Sequence, residues 1–305
     1  MDFRQLKTLN IPEGVVIRIA TPEGVVLWER GVQPDYPNIP NNEIWYTSTD
    51  GNIIEPYELP SDNTLISNTY ENDIGKMVFE KELITTKSYM FANSYTLKTI
   101  SLSNTIKTIS IYTFRDCSNL MSVQLPKYLE RLSIGSFSTC YNLENIVLPS
   151  TLVYIGMDTF ATQTDSTFIT SNSSRFVIEN DCIVDLETKQ LIQGLISRSD
   201  YRYNIPNSVS IISEGGFFSN RNLTEITIPS NIVEIKGSAF DFCSNLSLII
   251  SENKIAPYLI SGVFRNDVGT NVSGSKVLRV PQGASGYETW LEQLGEGWTI
   301  EYITE

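Results

Sequence analysis

Three of the four cysteines, Cys117, Cys140 and Cys243, each stand three residues after a phenylalanine, and thiols at a regular spacing invite a chemical reading first. A thiolate can ligate zinc, join a disulfide or act as a nucleophile. A closed zinc site needs four ligands at one point, yet Cys182 stands apart from the other three and the chain contains 0 histidines to complete a set. No metal and no cofactor is expected. The lack of histidine also removes the commonest general base, and with it Ser-His and Cys-His hydrolases. Acid–base work would fall to paired carboxylates about 5 to 10 Å apart, one with a raised pKa. Glu144 and Glu225 occupy strand-face positions in different segments, where acidic groups are ordinarily solvated. A non-enzymatic protein is expected.

The segments that carry these residues repeat. "NLMSVQLPKYLERLSIGSFSTC" and "NLENIVLPSTLVYIGMDTFATQ" match at Leu120 and Leu143, Val123 and Ile146, Leu125 and Leu148, Leu129 and Leu152, Leu132 and Ile155, and Phe137 and Phe160, each pair 23 residues apart. One period earlier the template reads Leu97, Ile100, Leu102, Ile106, Ile109 and Phe114, and before that Ile74, Met77, Phe79, Leu83 and Phe91. It resumes with Ile205, Val209, Ile212 and Phe217, then Ile228, Ile232, Ile235 and Phe240. A fixed period in the twenties is the signature of a solenoid whose units bury their apolar sides only against neighbours. Within each unit LxxIxL predicts a short strand, proline its stop, LxxI the opposite side of the coil, and phenylalanine a large plug. The cysteines then form a column of small, weakly polar groups, with Ser94 and Asn220 as equivalents, and Asn119, Asn142, Asn222 and Asn245 a column of turn formers. Cys117 and Cys140 would sit on adjacent coils at roughly the 4.7–4.9 Å strand spacing, which leaves a disulfide within reach; reduced thiols are the favoured state.

The pattern LxxIxLPxxLxxIxxxxFxxCxNL resembles the BspA-like leucine-rich repeats of bacterial surface proteins and of some phage proteins. The likeness spans about residues 74–165 and 200–250 and is strongest at "VYIGMDTF" and "VEIKGSAFDFCSNL". The fold it implies is mainly β, a 23-residue leucine-rich repeat solenoid; the function it implies is adhesion or structural display, and it transfers no catalytic motif. Such arrays also contain hairpin variants of the coil. "RFVIENDCIVDLETKQLIQG", where the register slips by 34 residues, reads as one, an insert over about residues 166–199 of a solenoid spanning 74–271.

The ends depart from the template. Residues 1–33 hold two apolar segments joined at "TPEG", a β-hairpin attachment module, followed by a linker over 34–42 stiffened by Pro34, Pro37 and Pro40. Its IPEG and VLW elements resemble short N-terminal modules of tailed-phage virion proteins. Residues 43–73 read as a cap opening the array, with a hairpin around Asp50 and Gly51. Residues 272–305 read as the closing cap: one more strand at Leu278–Pro281, a short helix bearing Tyr287, Trp290, Leu291 and Leu294, and a strand bearing Trp298, Ile300 and Tyr302.

A net charge of -13, from 22 basic and 35 acidic residues, argues against nucleic acid. No run reaches the roughly 20 apolar residues of a membrane helix, so no membrane insertion is expected, and "MDFRQLKTLN" lacks the features of an export signal. The leading expectation is a bacteriophage virion component, a head or tail decoration or fibre subunit, homo-oligomeric and bound to other virion proteins through the N-terminal module. The alternative is a bacterial cell-surface adhesin for host protein or glycan. The residues expected to contact partners are Ile17, Ile19, Leu27 and Trp28 on the hairpin, and Thr99, Ser101, Ser122, Gln124, Asn145 and Thr227 on the exposed strand face.

Overall fold

In the computed structural model the described residues are 39–160, 168–195 and 202–303, together with strand residues 18–20 and 26–29. Over the described residues the chain is mainly β and winds as a leucine-rich repeat solenoid of about 8 turns with one short helix. β1 (Arg18–Ala20) and β2 (Val26–Glu29) pair antiparallel in a sheet of their own, with Ile19 opposite Trp28.

β3 (Glu43–Ser48), β4 (Leu65–Glu71) and β5 (Ile74–Phe79) build one end of the array. β4 and β5 form a hairpin whose turn residues Asn72 and Asp73 have φ of 51° and 61°, the left-handed pair a two-residue hairpin turn requires. The hairpin expected around Asp50 and Gly51 is not formed. β3 instead inserts between β5 and the first coil strand, antiparallel to both. Ile74 is consequently not part of the apolar column: it is 40% exposed at the hairpin tip, whereas Met77, Phe79, Leu83 and Phe91 are buried.

β6 (Leu97–Leu102), β7 (Thr108–Ile109), β8 (Ser122–Gln124), β9 (Arg131–Leu132), β10 (Asn145–Leu148), β11 (Tyr154–Ile155) and β12 (Phe168–Ser171) alternate between two sides of the coil. The even-numbered strands pair in parallel on the first side and the odd-numbered ones on the second. Pro126 and Pro149 follow β8 and β10 closely, where a residue without an N–H cannot extend the ladder. The third side is a turn containing two left-handed residues per coil, Tyr112 and Asp116, then Gly135 and Thr139. Between them the phenylalanine N–H points to the next coil: Phe91 to Thr113 O, Phe114 to Ser136 O, Phe137 to Thr159 O.

This geometry stacks the phenylalanine rings. Phe91, Phe114, Phe137 and Phe160 lie nearly parallel with centroids 5.4, 5.2 and 5.7 Å apart, all fully buried. The cysteine column is thiol, not disulfide. Cys117, Cys140 and Cys243 donate their S–H to Phe91 O, Phe114 O and Phe217 O at 3.0, 3.0 and 3.1 Å. Asn119, Asn142 and Asn245 donate to Tyr95 O, Ser118 O and Arg221 O, which ties each turn to the preceding one.

The insert is more than a hairpin. β13 (Phe176–Glu179), β14 (Cys182–Asp185) and β15 (Gln190–Gly194) form an antiparallel meander, and β15 then joins the second side in parallel with β17. All four residues of β14 are buried: Ile183 faces one hydrophobic core, Cys182 and Val184 the next. The solenoid is therefore two stacked cores sharing this strand as a wall, not one uninterrupted column.

Beyond the wall, β16 (Arg202–Asn204), β17 (Ile211–Ile212), β18 (Glu225–Ile228), β19 (Glu234–Ile235), β20 (Leu248–Ser251), β21 (Tyr258–Leu259) and β22 (Lys276–Pro281) repeat the alternation. α1 (Glu288–Leu294) and β23 (Trp298–Ile303) close the described array, β23 pairing in parallel with β22. The second ring column runs Phe217, Phe240, Phe264 and Trp290 at 5.3, 5.2 and 5.9 Å, so the helix ends it with a larger aromatic in the phenylalanine position.

Candidate recognition face

Strand alternation sends Leu97, Ile100 and Leu102 of β6 inward and leaves Thr99 and Ser101 half-buried on the outer face. Parallel pairing aligns such positions into rows. One row reads Thr47, Thr99, Ser122, Asn145 and Phe168; the other reads Trp45, Ser101, Gln124. Thr47 and Thr99 share a hydroxyl–hydroxyl bond of 2.8 Å. Gln124 Oε1 is shielded from solvent and has no hydrogen-bond partner. An acceptor in that state carries a desolvation cost.

On β3 Trp45 is half-buried, and its row continues to Lys76 on β5 and Thr69 on β4. Its indole N–H donates to Glu43 Oε2 at 2.6 Å, and Lys76 Nζ lies 4.4 Å from its ring centroid. The indole is therefore held in one orientation, with Lys76 on one side of its row and the uncharged Ser101 and Gln124 on the other. Trp45 and Thr47 were outside the sequence expectation because β3 precedes the repeats and runs against them, and Lys76, on β5, reaches Trp45 only through that antiparallel pairing.

The structure brings together Thr99, Ser101, Ser122 and Gln124, and places Asn145 on β10 opposite Ser122. Thr227 does not join them. It lies on β18, in a separate sheet, in a row with Asn204, Ile250, Arg279 and Glu301, where Arg279 Nε bonds Glu301 Oε2 at 2.8 Å. Ile19 is on β1 and Leu27 and Trp28 are on β2; Ile17 lies outside the described residues. Glu144 immediately precedes β10 and Glu225 begins β18, so the two carboxylates belong to different sheets.

Among the described residues no helix is long and apolar enough to cross a membrane. Comparison with solved structures finds the pneumococcal vaccine antigen PcpA, with 17% identity over 61% of this chain and 51% of that one and a TM-score of 0.49. A leucine rich cell surface protein of Faecalibacterium prausnitzii shares 17% identity over 72% of this chain and 76% of its own, at a TM-score of 0.41. A leucine-rich repeat protein of Eubacterium ventriosum shares 15% over 74% and 71%, at 0.45. The chain spans about half the length of the pneumococcal antigen (51%). No curated protein matches the sequence. Six copies of the repeat described as the BspA type leucine rich repeat region match residues 63–189 and 201–272, and the chain belongs to that family.

Proposed function

We propose that this protein is a non-enzymatic display scaffold whose outer sheet face, from Trp45 across Ser101 to Gln124, contacts a protein or glycan surface. The observation that carries the reading is the outward row in which Trp45, its indole oriented by Glu43, aligns with Ser101 and Gln124. Such a row offers donors and acceptors without charge, and the indole offers a flat apolar surface. The test is a glycan array and an immobilised panel of extracellular-matrix proteins, probed with wild type, Trp45→Ala and Gln124→Ala. A ligand bound equally by all three proteins would refute the assignment of this face.

Family membership supports a bacterial cell surface as the setting. A virion setting would use the separate two-stranded sheet of β1 and β2, which a proline-rich stretch joins to the array, as the attachment point. An isolated two-stranded hairpin is marginal in water and gains from a partner surface. If residues 1–33 are an attachment module, a chain lacking them melts nearly as wild type does but fails to join its particle or homo-oligomer, as sedimentation would show. Mass spectrometry of purified particles, set against protease shaving of intact cells, decides between the two settings.

A further inference from the structure

On the second side of the coil, each unit presents two backbone carbonyls to the unit that follows. Lys107 O accepts from Glu130 and Arg131 N–H, and Ile109 O from Ser133. Glu130 O accepts from Val153 and Tyr154, and Leu132 O from Gly156. The arrangement returns after the meander, with Lys189 O accepting from Ser210 and Ile211, and Leu191 O from Ser213. At β11 it stops. This strand is the outer member of its sheet, and among the described residues nothing donates to Val153 O or Ile155 O.

The residues bearing these carbonyls, Val153 and Ile155, line a cleft of about 320 Å³ together with the apolar Phe176 and Ile192. Its cations are already engaged. Arg175 holds Asp185 and Glu187 at 2.8 Å each, and Lys236 Nζ bonds Gln190 Oε1 at 3.0 Å. At Arg175 a small anion would have to displace two carboxylates, whereas the unmet groups are carbonyls at strand spacing that ask for N–H donors.

We propose that this cleft takes an extended peptide segment of a partner protein, which adds to β11 as a parallel strand and is selected by an aliphatic residue at the third of four positions. The repeat dictates the pattern. Donors to Val153 O and Ile155 O come from positions one, two and four, as Val153, Tyr154 and Gly156 donate to the preceding coil. The third position corresponds to Leu132, Ile155, Ile212 and Ile235, all buried in the column, so its side chain packs beside Ile155 and Ile192. Strand addition to an open edge draws affinity from main-chain bonds and specificity from alternate side chains. The net charge of -13 favours a neutral or basic segment. This site is separate from the recognition face and does not depend on it.

The probe is the blocked octapeptide STLVYIGM, the chain's own residues 150–157, labelled with fluorescein and titrated against the full-length protein by anisotropy. Saturable binding is expected. N-methylation of the peptide's tyrosine and glycine amides, which removes two donors, should weaken it by at least about tenfold. Replacing its isoleucine by aspartate should do the same. A benzophenone at that third position should cross-link to residues 153–157 or 190–192. The protein variant Ile192→Arg should also lose binding, and if it fails to fold, the modified peptides still decide. No saturable binding at millimolar peptide, binding indifferent to N-methylation, or cross-links confined to other segments would each overturn the proposal.

Discussion

Gln193 Oε1 accepts the backbone N–H of Phe160 at 3.1 Å, doing with a side chain what the next coil's carbonyl does for Phe91, Phe114 and Phe137. At the far end Gln293 Oε1 accepts Val263 N–H at 2.9 Å. Third-side N–H groups point forward along the array, so each interruption exposes donors there, and a glutamine meets one at each place. Gln193 is 4% exposed. Gln193→Leu keeps the volume but leaves a buried donor unmet, and should cost about 1–3 kcal/mol in urea unfolding. Stability equal to wild type would show that Phe160 N–H finds another acceptor.

Phe137 sits between Phe114 and Phe160 with centroids 5.2 and 5.7 Å away. Phe137→Ala removes a fully buried ring from the middle of a close-packed column whose backbone is fixed by bonds on both sides. The expected loss is about 3–5 kcal/mol. A thermal melt unchanged from wild type would contradict the column as described.

Asp158 is buried, with a left-handed φ of 60°, and burial pushes its carboxyl up to about 6, against the opposing pull of a Ser138 hydrogen bond and the Arg115 charge. Because the folded pKa lies above the ordinary value of about 3.9, the folded state prefers the protonated acid. That stabilisation is fully present below pH ~4 and is lost as pH rises through ~6. Asp158→Asn should therefore be more stable than wild type at pH 7, by about 1–3 kcal/mol, and lack the decline between pH 4 and 6. Parallel stability profiles for the two proteins across that range would sink the assignment.

Much of this was legible because a 23-residue period makes every core position visible several times over. Leu97, Leu120 and Leu143 fall in one buried column, and the outward placement of Thr99, Ser101, Ser122 and Gln124 follows from alternation alone. Partner choice is what periodicity does not encode. "EIWYTS" alternates clearly enough to be a strand, yet nothing local says it inserts antiparallel beside β6 and carries Trp45 to the recognition face. "CIVD" held a missed signal, since an apolar run unbroken by polar residues suits a strand buried on both faces. Thr227 occupies the equivalent outward strand position but in another sheet, because the repeat register continues across the meander while the sheet does not.

The cysteine column gives the last prediction. Cys117, Cys140, Cys182 and Cys243 are all fully buried, and burial raises each thiol well above its ordinary pKa. The nucleophile toward a disulfide reagent is the thiolate, so burial suppresses reaction twice, by excluding the reagent and by holding the proton. For the three repeat cysteines the proton is also donated to the phenylalanine carbonyl of the preceding coil. Native protein at pH 8 should react with none of its thiols on the minutes scale of the assay, whereas in guanidinium all 4 cysteines of the sequence should titrate. Partial reaction before unfolding would identify a coil that opens locally, and prompt reaction of three thiols would mean that the column is not the closed ladder described.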